Sequence, residues 1–228
     1  MSGKDMPMRK QSRIAVRRHP ERGAYDAETI HAILDEGFLC HVGFVQDDQP
    51  FAIPTLYARV GDTLYLHGSP LSRMLRHLEK GVALCVTVTL VDGLVLARSA
   101  FHHSINYRSV VILGQGRTVM EPADKEAALR ALVDHIVPGR SDDARGPDAQ
   151  ELKATLVIAV PLQEASAKVR TGPPKDAPDD YALDVWAGEL PLRLQPLEPI
   201  PDTRLASDIP TPEYVRRYRR SFDEDIMA

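Results

Sequence analysis

Cysteine is scarce in this 228-residue chain, and the two present, Cys40 and Cys85, each lie in an apolar stretch of strand character. That argues against a disulfide-stapled secreted scaffold and leaves buried, reduced thiols as the expectation. Long apolar runs are missing as well. The longest, Gly81–Leu90 and Leu152–Leu162, fall far short of the roughly 20 residues that cross a bilayer. Near the start, Lys4, Arg9, Lys10, Arg13, Arg17 and Arg18 stand without an apolar core, so no secretory leader is read there and a cytoplasmic protein is expected. An overall basic field is absent too. The formal net charge is −4, which speaks against a dedicated nucleic-acid binder even though Arg216, Arg217, Arg219 and Arg220 cluster near the end.

Several catalytic signatures are lacking. There is no nucleophile elbow, no Walker loop and no dinucleotide-binding glycine fingerprint; Gly114-Gln115-Gly116 has no third glycine and interrupts a strand pattern. These absences argue against hydrolase and kinase chemistry. Neither cysteine nor histidine spacing follows a zinc pattern, and the neighbours His102 and His103 would point to opposite faces of a strand, so no metal site is expected.

What is present is a chain with 43% hydrophobic residues, enough for one core with appendages. Asp26 can cap a helix to Glu36 that carries Ile30, Ile33 and Leu34 on one face and stops at Gly37. Strand-like stretches follow at Phe38–Val45, Phe51–Val60, Thr63–His67 and Val82–Leu90, the first three separated by short polar turns. Ser69-Pro70 opens a second helix with Leu71, Met74, Leu75 and Leu78 at helical spacing. Strands at Leu94–Ser99 and Tyr107–Val119 then lead into a helix over Pro122–Ile136, with Ala127, Leu129, Leu132, Val133 and Ile136 as its apolar face. The polar stretch Gly139–Gln150 reads as a surface loop, and Thr155–Pro161 and Ser166–Val169 as the last strands. Many short strands joined by hairpins point to an antiparallel barrel. The division expected is a flexible basic segment over 1–20, a barrel domain over 21–172, and a proline-rich arm and tail over 173–228 that packs on the barrel or on a partner.

Two polar clusters could carry chemistry. At His67-Gly68-Ser69-Pro70-Leu71-Ser72-Arg73 a strand gives way to a helix start with hydroxyl groups and an arginine, a setting suited to phosphate. The competing explanation is a plain cap beside a solvated arginine. In the second cluster, Arg98 to Ser109, the side chains of Arg108 and Ser109 could reach a phosphate, while Ser104 and Asn106 could address the polar edge of a ring system.

In series, Val42-Gly43-Phe44, Ile53-Pro54-Thr55-Leu56-Tyr57, Leu64-Tyr65-Leu66-His67-Gly68-Ser69, Arg73, His103 to Val110, Ala165 to Arg170 and Val185 to Pro191 resemble the flavin-nucleotide-binding family related to pyridoxamine 5′-phosphate oxidase. The resemblance runs from about Arg13 to Leu205. It implies a mainly β fold, a six-stranded antiparallel split β-barrel with peripheral helices, working as a homodimer with FMN at the interface. FAD, a deazaflavin and haem are the alternative cofactors. Carried onto this chain, it implies that Ser69, Ser72 and Arg73, with Arg108 and Ser109, hold the phosphate. Pro54, Thr55, Leu66, His67 and Gly68 would line the flavin ring, and Trp186 and Glu189 would come from the arm. The oxidase's substrate signature is missing at the carboxyl end, and the likeness is nearer to the subgroup that includes nitroimidazole-resistance proteins, whose cofactor-side histidine corresponds to His67. The implied activity is reduction or oxidation of a small molecule, with NADH or NADPH as donor. A non-catalytic flavin or haem carrier or sensor is the other reading.

Overall fold

The computed structural model describes residues 13–220. Lys4, Arg9, Lys10 and the end of the tail beyond Arg220 therefore lie outside the described residues. Packing begins at Ile14, which is buried.

Helix α1 (Ala27–Glu36) starts as anticipated, with the Asp26 carboxylate accepting from Thr29 N at 2.8 Å, and it buries Ile30, Ile33 and Leu34. The hairpin of β2 (Leu39–Gln46) and β3 (Gln49–Leu56) turns at Asp47 and Asp48, both with positive φ, as the favoured two-residue hairpin requires. Including the short β1 (Gly23–Ala24), the first sheet runs β1, β10 (Ala165–Arg170), β7 (Ser104–Gln115), β6 (Ala83–Leu96), β2, β3, with β11 (Gly188–Pro191) also on β6. The second sheet runs β4 (Ala58–Val60), β5 (Thr63–Gly68), β9 (Leu156–Pro161), β8 (Arg117–Thr118). Among the described residues no ladder joins the two sheets, so the antiparallel barrel is split rather than closed.

The two long strands read from the sequence are each bent into two. Phe51–Val60 breaks at Tyr57, which passes the chain from β3 in one sheet to β4 in the other; Tyr57 is fully buried and its hydroxyl donates to Leu34 O at 2.7 Å. Tyr107–Val119 breaks at Gly116, where a Cβ would stand 2.5 Å from Ile158 Cγ2. Only glycine fits that corner. Conversely, the stretches read as separate strands at Val82–Leu90 and Leu94–Ser99 form one long β6 with a bulge between Val91 and Gly93.

Three helical expectations need correction. Helix α2 (Arg73–Leu78) begins at Ser72, whose hydroxyl accepts from Leu75 N at 3.4 Å, not at Ser69, and Leu71 is 84% exposed instead of forming part of its apolar face. Helix α3 (Pro122–Ile136) has the anticipated bounds but buries Ala128 and Leu132. The supposed loop after it holds α4 (Arg140–Asp143) and α5 (Ala149–Lys153), the latter opened by a capping box between Asp148 and Glu151.

The arm is tied down at both ends. Strand β11 pairs with Gly93–Leu96, covering the half of the β6 edge that β2 leaves open, and Asp176 accepts from Arg98 N and Arg98 Nη1, each at 3.1 Å. Past the short α6 (Glu213–Arg216), the Arg220 guanidinium donates to the carbonyls of Glu36 at 2.7 Å, Gly37 at 2.8 Å and His135. The arginine cluster near the end is therefore anchored at Arg220, where the carbonyl-rich ends of α1 and α3 meet a fixed cation.

Candidate functional site

Alternation along β5 divides its side chains. Leu64 and Leu66 are fully buried in the core, whereas Tyr65 and His67 face the side that α3 covers. Leu66 can consequently offer only its backbone to a ligand. His67 borders a cavity of about 680 Å³ whose apolar wall includes Leu56, Leu129, Leu132 and Ile136, and whose rim carries Arg130 and Arg145. Its Nδ1 is buried without a hydrogen-bond partner, and burial pushes the imidazole pKa below its ordinary value. The ring is thus kept neutral, the form that ligates metals or accepts a proton.

Ser69, Ser72 and Arg73 come together in one turn. Ser69 Oγ accepts from Leu71 N at 3.1 Å, Ser72 N donates to Ser69 O at 2.9 Å, and the exposed Arg73 guanidinium lies over the Phe51 ring at 5.1 Å. With only six residues, α2 contributes little dipole, so anion binding here would rest on the side chains. Pro54 and Thr55 stand on β3, the last strand of the first sheet, Pro54 exposed and Thr55 half-buried.

The second cluster divides by strand face. Asn106 and Arg108 project to one side of β7 and Ser109 to the other, where its hydroxyl donates to Lys168 O at 3.4 Å. Arg108, anticipated at a phosphate, has all its guanidinium nitrogens engaged: Nε and Nη2 reach Asp92 at 3.0 and 2.8 Å, and Nη1 and Nη2 reach Glu36. Burial disfavours that charge, but the hydrogen bonds and charges of the two carboxylates outweigh it and raise the Arg108 pKa. Asn106 is brought to the arm residue Glu189, donating to it at 2.5 Å while accepting from Arg170. Ser104 is exposed at the start of β7, and Trp186 is 68% exposed with its ring over Gly188.

Sequence reasoning missed the carboxylates that claim Arg108, because Glu36 ends a helix and Asp92 sits in a strand bulge, far apart in the chain. It also missed Arg130 and Arg145, which lack any motif. His102, Asp176 and Asp180, which sequence spacing does not bring together, place ligand atoms within 4.8 Å of one another. Asp176 is already neutralised by Arg98, however, and this group serves to fasten the arm.

Residues 26–169 match the family described as pyridoxamine 5′-phosphate oxidase, and the chain belongs to that family. The flavocytochrome Anf3 of Azotobacter vinelandii is 43% identical, with 92% of this chain and 98% of that one covered and a TM-score of 0.87. A FAD and heme binding protein of Mycobacterium smegmatis is 37% identical over 86% of this chain and 96% of that one, with a TM-score of 0.82. A Bacteroides thetaiotaomicron protein described as a 5-nitroimidazole antibiotic resistance protein shares the fold at 23% identity, covering 64% and 86% of the two chains, TM-score 0.55. No curated protein matches the sequence.

Proposed function

We propose that this chain is a flavin-binding oxidoreductase that also carries haem, with His67 as the residue that ligates the haem iron. The observation that carries this reading is at His67: its Nδ1 is buried with no hydrogen-bond partner in the chain, and the side chain borders a cavity of about 680 Å³. Cofactor sites of roughly 300–1,000 Å³ are usual, and a buried polar atom without a partner in the protein is suited to a ligand. The likeness to a flavocytochrome and to a FAD and heme binding protein supports the same pair of cofactors. Of the flavin nucleotides, the name of the Mycobacterium smegmatis relative favours FAD over the FMN anticipated from the sequence.

For the flavin, Ser69, Ser72 and Arg73 offer hydroxyls and a fixed charge to a phosphate. When bound, the flavin supplies hydride and single-electron chemistry and the haem single-electron chemistry. The chain's own part is to hold and orient both and to keep His67 unprotonated. The working unit in this reading is a homodimer: among the described residues β3 leaves one edge unpaired, and Leu71 and Phe101 are 84% and 90% exposed. NADH or NADPH and a small molecule are the reaction partners.

The test is to extract and identify what copurifies. Flavin and haem in the wild type, with flavin content reduced in Arg73→Ala, support the reading; a colourless chain that takes up neither cofactor refutes it. The second reading, an electron carrier or sensor without a substrate, is favoured by the flavocytochrome relative. It is distinguished by bound flavin that NADH and NADPH fail to reduce under anaerobic conditions.

A further inference from the structure

The charges around the His67 cavity are arranged in a way that iron ligation alone does not call for. The wall is apolar, yet two guanidinium groups stand at the rim on separate elements, Arg130 on α3 and Arg145 on the link between α4 and α5. Each is steadied by an acid on the same rim. Arg130 gives one N–H to Asp142, and Arg145 gives two to Glu151, at 2.9 and 2.7 Å, and one to Gly146 O at 2.7 Å. A guanidinium has five N–H donors, so Arg130 keeps its Nε and Nη1 donors and one on Nη2, and Arg145 its Nε donor and one on Nη2, for a further acceptor. Both side chains are more than half exposed, so the fold does not depend on them, while their ion pairs order them in advance of a ligand.

We propose that Arg130 and Arg145 receive the two carboxylates of the tetrapyrrole whose iron His67 ligates; this rests on the haem reading above. An apolar wall, an imidazole on the lining and two ordered cations at the mouth match a flat apolar ring that bears a metal in its centre and carboxylates on one edge. Planar forks suit carboxylate and phosphate alike, so the flavin phosphate is the competing source of anion. Glu126, Asp142 and Glu151 on the same rim outnumber the two cations, so recognition there depends on directed hydrogen bonds and not on net charge.

The experiment measures the rate at which haem leaves the full-length protein for excess apomyoglobin. It compares the wild type, Arg130→Gln/Arg145→Gln and His67→Ala, each loaded with haemin or with haemin dimethyl ester, whose carboxylates are blocked. The double variant is expected to release haemin at least about tenfold faster than wild type, and both proteins to release the ester at the same fast rate. The ester arm needs no substitution, so it tests the proposal even if the double variant folds poorly. Haemin release at the wild-type rate from a folded double variant overturns the proposal while leaving the haem reading intact, provided that His67→Ala weakens retention. Loss of flavin rather than haem from the double variant also overturns it, assigning the cations to a phosphate. Failure of the wild type to hold haemin at all removes the haem reading and this proposal together.

Discussion

At the scale of single residues, the largely shielded Arg108 has a removal cost that can be estimated. The Arg108 side chain is 13% exposed and the Glu36 and Asp92 side chains it pairs with are 10% exposed each. Arg108→Met would leave two carboxylates unpaired in a dry site, and about 3–5 kcal/mol of stability should be lost, measured by urea denaturation. A loss below about 1 kcal/mol would mean that water reaches the triad. Histidine supplies a pH dependence. Burial lowers the pKa of both His67 and His135, in the latter case against the Gly37 carbonyl, which accepts from Nε2 at 2.7 Å and favours the charged form. The unfolded chain therefore binds more protons than the folded one. Stability is complete above about pH 6.5 and is lost as pH falls through that value toward the lowered folded values. His135→Gln, which can still donate to Gly37, should flatten the fall of Tm with pH; an unchanged slope would show that His135 does not contribute to it.

At the scale of elements, the legible parts were those set by local pattern. The cap at Asp26, the apolar spacing of α1 and the bounds of α3 could all be read because each depends on residues within one helix. The corners at Tyr57 and Gly116 could not. They are fixed by what lies across the molecule, Leu34 O for the tyrosine and Ile158 for the glycine, and no local signal marks them. The same holds for the site: the Ser69–Arg73 turn stood out by its residue types, whereas Arg130 and Arg145 acquire meaning only once α3 lies across β5. Gly93 shows how a tertiary contact can hide in one small residue. A Cβ there would stand 3.0 Å from Leu190 O and 3.3 Å from Pro191 Cα, both backbone atoms of β11. Gly93→Val should therefore push β11 off β6, costing about 1–3 kcal/mol and exposing the arm between residues 173 and 187 to limited proteolysis. An arm as resistant as in the wild type would contradict that role.

At the scale of the whole molecule, the split barrel carries His67 beside a cavity at the end of β5 and, just after it in the chain, a hydroxyl-rich turn with an arginine. Among the described residues no helix is long and apolar enough to cross a membrane. The arm completes the β6 edge and delivers Glu189 to Asn106, so it packs on the barrel as an integral strand. The reading as a flavin- and haem-binding redox protein is tested most directly by the visible spectrum of the purified wild type beside that of His67→Ala. The account predicts overlapping flavin and Soret absorption in the wild type, with the variant keeping its flavin and losing or shifting its Soret band. A wild type without a Soret band, or a variant with the same haem content and spectrum, would contradict it.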